Sequence, residues 1–275
     1  MGILNVTPDS FSDGGKFNHP PSALAQALRM VDEGASIIDI GGESTRPGAA
    51  RIDPEEQIRR TRPILEALRQ KCDVLISIDT TRAKVAEAAL QAGANIINDV
   101  SAGQEDKAMF PLAADHQCGL ILMHRRLPPE KDSYSDQYKT PPTYEDVLKT
   151  VRDFLEIRAE AAIATGVNRE SIVLDPGLGF GKTVAQNYEI MARIRELMDL
   201  GYPVLSAASR KSFLGAVGGK EKPEDRLAES IAASGEQFLA GVRLFRVHDV
   251  IAHTEMFRVL QRIEQARQSL DSSLP

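Results

Sequence analysis

The sequence predicts a single α/β domain folded as a (β/α)₈ barrel, a TIM barrel. Eight short apolar runs alternate with longer helical patterns, and 275 residues suit one barrel domain. The runs are rich in β-branched residues and do not alternate with polar ones, which is typical of parallel strands buried on both faces. Eight such strand–helix units indicate a closed barrel over residues 1–275.

Each element can be assigned from its local pattern. The predicted strands cover 2–6, 36–41, 74–79, 95–100, 119–124, 171–176, 203–209 and 243–248. Apolar residues three and four positions apart predict helices over 53–71, 82–92, 144–165, 185–200 and 224–240. Proline in the first turn predicts helix starts at Asp53–Pro54 and Lys222–Pro223. Glycines expected to end helices in the left-handed conformation are Gly34, Gly93, Gly166, Gly201 and Gly241.

Composition narrows the class of protein. A net charge of -6 argues against a nucleic-acid partner. Cys72 and Cys118 lack metal-ligand spacing, so we expect two core residues in a reducing compartment. The sequence has no leader pattern and no run of roughly 18 apolar residues, so we expect a soluble cytoplasmic protein that does not enter a membrane.

The predicted strand ends are unusually polar. In a barrel of this type the chemistry lies at the carboxyl ends of the strands, and buried polar groups need partners, so these residues point to one shared ligand. They are Asn5, Asp39, Glu43, Asp79, Asn98, Asp99, His124, Asp175, Ser209, Arg210, Lys211, Arg246, His248 and Asp249. For Asp39, Asp99 and Asp249 taken singly, helix capping or pairing with a cation at the barrel mouth is the better interpretation.

Some of these polar residues at the strand ends have side chains suited to binding a flat heterocycle. Asp79, Asn98 and Asp175 offer acceptors and donors to the edge of an amino-oxo-pyrimidine, such as a pterin or guanine-like ring. Lys211 could donate to the ring oxygen and Arg246 could stack on the ring face. Charge balance is an equally good explanation of these residues before longer motifs are considered.

The segment 175–183, DPGLGFGKT, imitates a phosphate-binding P-loop. Pro176 stands where that motif requires glycine, so nucleoside triphosphate binding is rejected. The three glycines instead predict a tight turn close to a ligand. Phe180 is expected to be either an apolar wall of the site or an ordinary core residue.

Two glycine-rich loops, 5–15 and 41–48, have the composition of loops that close over a substrate. Asn5 supplies an oxygen suited to Mg²⁺, and Thr45, Arg46 and His248 can donate to phosphate oxygens. Magnesium pyrophosphate would satisfy both sets of groups.

Eight motifs in this order resemble the dihydropteroate synthase family across essentially the whole chain. They are MGILNVTPDSFSDGG (1–15), DIGGESTRPGA (39–49), SIDT (77–80), INDVS (97–101), LMH (122–124), LDPGLGFGK (174–182), SRKS (209–212) and RVHDV (246–250). The first two are specific to the family, whereas SRKS alone would be weak.

The resemblance implies roles for individual residues. Asp79, Asn98, Asp175 and Lys211 resemble the pterin-binding residues, and Arg246 resembles the residue that stacks on the ring. Asn5 looks like the magnesium ligand. The implied pyrophosphate contacts are Thr45, Arg46, Arg246 and His248. The implied p-aminobenzoate pocket contains Pro47, Phe180 and Ser212.

The resemblance also implies a transferase of folate biosynthesis that is a homodimer and a sulfonamide target. The enzyme would join 6-hydroxymethyl-7,8-dihydropterin pyrophosphate to p-aminobenzoate and form 7,8-dihydropteroate. Arg46, Lys211, Arg246 and His248 are the implied catalytic residues. They act with Mg²⁺ by stabilising the departing pyrophosphate, without a covalent enzyme intermediate.

Two features depart from the family pattern. Family members have residues before the MGILN strand, including the rest of that strand, whereas this sequence starts at Met1, so the first strand is expected to be truncated, with an effect on stability rather than on chemistry. The proline-rich, charged segment 125–142 is expected to form a mobile loop after the fifth strand, and Arg125 and Arg126 are expected to have no catalytic role.

Two alternatives remain. A pterin-dependent methyltransferase domain would share the barrel and the pterin-binding pattern of Asp79, Asn98 and Asp175 but would lack the first two loops. A catalytically silent paralogue that binds pterin or a protein partner is disfavoured by Asn5, Arg46, Lys211 and His248.

Overall fold

A computed structural model of the chain describes residues 1–6 and 20–271. Residues 7–15, which the sequence analysis assigned to the first glycine-rich loop, lie outside the described residues. Eight strands lie in the described part: β1 Gly2–Asn5, β2 Ile37–Gly41, β3 Leu75–Asp79, β4 Ile96–Asp99, β5 Gly119–Met123, β6 Ile172–Asp175, β7 Leu205–Ser206 and β8 Leu244–Phe245.

The eight strands close into a ring. β1 to β6 pair in chain order as a parallel sheet, and β7 pairs with β8. Single parallel bridges, Leu174–Val204 and Gly2–Val247, join the two sheets on either side. Across these joints Leu174 N donates to Pro203 O at 2.9 Å, and Ile3 N donates to Val247 O at 3.0 Å. The predicted barrel is therefore confirmed.

The strands differ from the prediction mainly in length. β1 pairs along all four of its residues with β2. β7 and β8 have two residues each, because their regular pairing is confined to Leu205–Leu244 and Ser206–Phe245. The predicted ranges 203–209 and 243–248 were too long, since their flanking residues join the ring through the single bridges instead.

Ten α-helices lie within residues 20–271: α1 Pro20–Asp32, α2 Pro54–Arg69, α3 Ala83–Gln91, α4 Met109–Asp115, α5 Val147–Ala164, α6 Val184–Ala192, α7 Ile194–Met198, α8 Ser212–Gly218, α9 Leu227–Ala240 and α10 Val250–Asp271. Sequence analysis did not single out α1, α4, α8 and α10. Asp53 caps α2 as predicted, accepting from Glu55 N.

Two helix predictions were wrong in detail. The predicted helix 185–200 is two helices, because the backbone of Arg193 leaves the helical region at φ -107° and ψ 16°. The start at Lys222–Pro223 is a 3₁₀ turn, Pro223–Asp225, and α9 begins at Leu227. The buried Arg226 fixes this turn, because its guanidinium donates to Lys220 O at 3.0 Å and Arg210 O at 2.9 Å.

A connected apolar core lies between the strands and the surrounding helices. Cys118 is buried in it, and Cys72 is partly buried against it. All five glycines predicted to be left-handed have positive φ. No helix in the described ranges is long and apolar enough to cross a membrane.

The turn after β6 is the most constrained segment at the barrel mouth. Gly177, Gly179 and Gly181 all have positive φ. A Cβ on Gly177 would lie 1.8 Å from His124 O, and one on Gly181 would lie 2.5 Å from the Arg126 Cβ. The predicted glycine turn is confirmed, and its first close approach is to the backbone after β5.

We expect Gly177→Ala to lower the free energy of unfolding by ~2–5 kcal/mol, because it adds overpacking against His124 to left-handed strain. Gly219→Ala is the matched control, since φ is 66° and nothing lies within 4 Å of the added Cβ. Strain alone should cost ~1–2 kcal/mol there. Urea denaturation of both variants measures the difference, and equal losses would contradict the close approach.

Candidate active site

One arginine joins three strands at the barrel mouth. Arg246, just after β8, donates from Nε to Asp39 Oδ2 of β2 at 2.6 Å and from Nη2 to Asp79 Oδ2 of β3 at 2.8 Å. Both aspartates are buried. Asp39 therefore pairs with a cation at the mouth, as the simpler interpretation of its sequence position predicted.

Buried acceptor atoms around this arginine lack partners. Asn98 Nδ2 donates to Asp39 Oδ2 at 3.2 Å. Asp39 Oδ1, Asp79 Oδ1 and Asn98 Oδ1 are all buried without a hydrogen-bond partner among the described residues. Each such group costs free energy until a donor reaches it. The cradle formed by these three residues is therefore suited to a ligand rich in N–H donors.

The electrostatics of the cradle follow from burial. Burial, with a smaller contribution from the charge of Asp39, raises the pKa of Asp79 to about 7 against the opposing charge of Arg246. For Arg246, burial disfavours the charged form, but the charges of Asp39 and Asp79 raise its pKa overall. The guanidinium therefore stays charged between the two acids.

The opposite side of the mouth is formed by residues after β6 and β7. Gly177 N donates to Asp175 Oδ1 at 2.7 Å, which orients that buried carboxylate. Lys211 Nζ donates to Leu178 O and lies 4.6 Å from the centroid of the Phe180 ring. Burial lowers the pKa of Lys211 to about 8, although Asp175 opposes the shift. Phe180 is only partly buried, so it lines the mouth instead of filling the core.

Lys182 is the largest buried side chain of this region, and sequence analysis gave it no role. Its Nζ donates to Gly177 O at 2.9 Å and Phe180 O at 2.8 Å, and lies 3.0 Å from His124 Nδ1. Burial lowers the pKa of Lys182 to about 7. This lysine holds its own turn and the residue after β5, so it is unavailable to a nucleotide phosphate.

His248 is held by a neighbouring hydroxyl. Its backbone N donates to Ser209 Oγ at 3.2 Å, and the same oxygen lies 3.1 Å from the ring Nδ1. The Ser209 hydroxyl can donate to Nδ1 or accept from it, because it has one hydrogen and two lone pairs. Burial lowers the pKa of His248 to about 3, with help from the charges of Arg246, Arg210 and Arg46. The ring is therefore neutral and carries a single N–H, which lies on Nε2 in the tautomer whose Nδ1 accepts from Ser209.

Asp99 and Asp249, for which the sequence analysis also favoured structural roles, have partners within the protein. Asp99 accepts from Ser101 N at 2.8 Å and Gly103 N at 2.6 Å, which caps the turn after β4. Asp249 accepts from Arg210 Nε at 2.9 Å. The pairing interpretation is confirmed for Asp249, whereas Asp99 caps a turn and not a helix.

The segment 41–48 lies at the same end of the barrel. Thr45 and Pro47 are partly buried, and Arg46 is exposed. Arg46 is close enough to His248 for its charge to lower the pKa of that ring. The loop is tied at its far side by Gly48 N, which donates to Pro129 O at 2.8 Å.

The remaining predicted residues also lie at this end. A Cβ built on Gly41 would lie 3.7 Å from Asn5 Oδ1 and 3.8 Å from Asp79 Oδ2, so the Asn5 amide stands beside the cradle. Ser212 is buried at the start of α8, directly after Lys211. The described residues contain no group of three or more His, Cys, Asp or Glu side chains that could hold a metal ion.

The segment 125–142, predicted as a mobile loop, makes specific contacts. Asp132 accepts from Tyr138 Oη at 2.5 Å and from Gly181 N at 2.9 Å. Arg125 is buried and pairs with Glu105. The contacts with Gly181 and Glu105 were not predicted, because these partners lie in other loops.

Comparison with known proteins agrees with this geometry. Residues 1–248 match the family model described as pterin binding enzyme. The chain is 45% identical over 260 residues to a dihydropteroate synthase of Synechocystis sp., covering 94% of this chain and 88% of that protein.

Two solved structures share the fold. One is the Xanthomonas albilineans dihydropteroate synthase with 4-aminobenzoic acid, at TM-score 0.88, 39% identity and coverage of 100% of this chain and 93% of that one. The other is the Yersinia pestis dihydropteroate synthase with a sulfonamide drug, at TM-score 0.88, 39% identity and coverage of 96% and 93%. The chain therefore belongs to the pterin-binding enzymes, within the dihydropteroate synthase family.

Proposed function

We propose that the barrel mouth condenses 6-hydroxymethyl-7,8-dihydropterin pyrophosphate with p-aminobenzoate to give 7,8-dihydropteroate and pyrophosphate in folate biosynthesis. The observation that carries this proposal is the set of unpartnered buried acceptors on Asp39, Asp79 and Asn98. The amino and ring N–H groups of a pterin supply the donors that these oxygens lack. Asp175 and Lys211 complete the pterin site from the opposite side.

The anionic end of the substrate meets donors from two loops. Thr45, Arg46 and His248 bind the pyrophosphate, and Arg246 contacts both the ring face and the nearest phosphate. The support is the charge of Arg46 beside His248 and the contact of that ring with Ser209, which leaves Nε2 as the donor when Ser209 donates to Nδ1. As the bond between the pterin methylene and the pyrophosphate oxygen breaks, the electron pair leaves with the oxygen, and these donors stabilise it.

The second substrate attacks from the side formed by Pro47, Phe180 and Ser212. The aniline nitrogen of p-aminobenzoate forms the new C–N bond to the pterin methylene, and its proton passes to the departing pyrophosphate or to water. No covalent enzyme intermediate is required. Asn5 would hold Mg²⁺ with one oxygen, the other ligands coming from pyrophosphate and water, which fits a cation that keeps several waters. When bound, the ion supplies positive charge to the leaving group.

The domain organisation, the oligomeric state and the location of the protein are also proposed. We infer a single domain over 1–275 in a cytoplasmic homodimer, for which the exposed apolar side chains of Leu239, Ile251, Val259 and Ile263 on α9 and α10 provide surface. Sulfonamide sensitivity follows from the proposed p-aminobenzoate site, and the Yersinia pestis relative has been solved with such a drug.

The direct test supplies the purified protein with the pterin pyrophosphate, Mg²⁺ and p-aminobenzoate, and measures pyrophosphate release and dihydropteroate by mass. We expect product only when all three are present. Pterin binding without product would favour the silent paralogue instead, and absence of pterin binding would contradict the cradle.

Arg46→Ala should lower turnover about 100-fold while leaving the affinity for 6-hydroxymethylpterin unchanged, because its charge meets the leaving group and not the ring. Arg59→Ala, an exposed arginine on α2, is the matched control. Steady-state kinetics and calorimetric titration separate the two effects. Unchanged turnover would remove Arg46 from the mechanism.

His248 should stay neutral from pH 5 to 8, because burial and three arginines hold its pKa near 3. A lowered pKa means that the ring loses its proton at a lower pH than an ordinary histidine, whose pKa is about 6.5. NMR of ¹³C-labelled histidine should show no titration of the His248 ring in this range. A midpoint near 6.5 that disappears in His248→Gln would contradict the assignment.

A further inference from the structure

Arg51 is the centre of a partly buried ion-pair network beside the proposed site. Its guanidinium contacts Glu43 Oε2 at 3.2 Å, Glu130 Oε2 at 3.1 Å, and Glu105. These carboxylates follow β2, β5 and β4 respectively. A single side chain therefore connects three loops at the carboxyl end of the barrel.

Glu105 extends the network to further loops. It also accepts from Arg125, after β5, and from Thr81 Oγ1, after β3, at 2.6 Å. Burial disfavours its charged form, but Thr81, Arg125 and Arg51 lower its pKa overall. We call Arg51, Arg125, Glu43, Glu105 and Glu130 the arginine clasp. Three negative and two positive charges nearly balance within it.

The clasp closes the loop that carries Thr45, Arg46 and Pro47. Glu43 lies before these residues and Arg51 after them. Besides its contact with Arg51, Glu43 accepts from Ile52 N through Oε1 at 2.6 Å. Both ends of the loop are thus joined by one carboxylate. The bond from Gly48 N to Pro129 O ties the middle of the loop to the segment that carries Glu130.

The side chains of the arginine clasp are largely shielded from solvent, which strengthens their ion pairs. The side chains of Arg51, Glu43, Glu105 and Arg125 are 25%, 10%, 18% and 6% exposed. Ion pairs at this depth are screened less by salt than surface pairs, and a network orders its members more than an isolated pair does. Removing the shared arginine would leave the carboxylates unbalanced.

We propose that Arg51 is a positioning residue that holds the 43–52 loop closed, so that Thr45, Arg46 and Pro47 are in place before substrate binds. Its catalytic consequence rests on the proposed function, whereas its effect on the loop does not. Preorganisation of this kind lowers the entropy that binding must overcome. The pterin cradle lies on β2, β3 and β4, so its affinity should not depend on the clasp.

The test compares Arg51→Met with Arg62→Met. Arg62 lies on α2, is half exposed and pairs with Glu66 one turn away, so it controls for loss of an arginine from an ion pair. Hydrogen exchange of the free protein reports on the loop without substrate. We expect amides in 43–52 to exchange roughly tenfold faster in Arg51→Met and at the wild-type rate in the control.

Kinetics then test the consequence. In Arg51→Met, kcat/KM for p-aminobenzoate should fall roughly tenfold, and the affinity for 6-hydroxymethylpterin should stay within about twofold of wild type. Arg51→Lys should restore only part of both losses, because an ammonium does not span three separated carboxylates. Glu130→Gln, which removes the negative charge of one peripheral partner of Arg51, provides a milder variant if Arg51→Met does not fold.

Unchanged exchange in 43–52 of Arg51→Met, or of Glu130→Gln in its place, would overturn the clasp. Faster exchange with unchanged kinetics would overturn its role in positioning. An inactive wild-type protein with the predicted exchange difference would instead contradict the proposed function and leave the loop contact intact.

Discussion

The contact of Arg246 with Asp39 and Asp79 is the interaction on which the rest of the site depends. It places one fixed positive charge among three buried acids, Asp39, Asp79 and Asp175. Without it the inward-facing carboxylates of β2 and β3 would repel each other in a poorly solvated interior. Because the arginine occupies only one oxygen of each of its partners, the other oxygens remain available to a ligand.

The barrel divides the proposed chemistry between rigid and loop elements. The pterin acceptors lie on β2, β3 and β4 or at their ends, where ladder pairing fixes the backbone. The groups proposed for the pyrophosphate lie in loops, and two different sets of contacts hold them. Ser209 orients His248, and the arginine clasp holds the loop of Arg46. A rigid ring site is thus combined with loops that are held in place before the substrates bind.

Much of this arrangement could be predicted from the sequence. Buried parallel strands give continuous β-branched runs, and topology then brings their carboxyl ends together, so Asp79, Asn98 and Asp175 could be placed at one mouth. The lengths of β7 and β8 could not be predicted, because they depend on pairing across the closure. The partners of Lys182 and Arg51 could not be predicted either. Arg51 and Glu105 are 54 positions apart, and nothing in the local pattern of either residue specifies the other.

The central claim is that the unpartnered oxygens of Asp79 and Asn98 bind the donors of a pterin ring. A crystal structure of the protein with 6-hydroxymethylpterin tests it most directly. We expect ring or amino nitrogens within about 3.2 Å of Asp79 Oδ1 and Asn98 Oδ1, with Asp175 and Lys211 on the opposite edge. A ring bound elsewhere, with those oxygens occupied only by water, would contradict it.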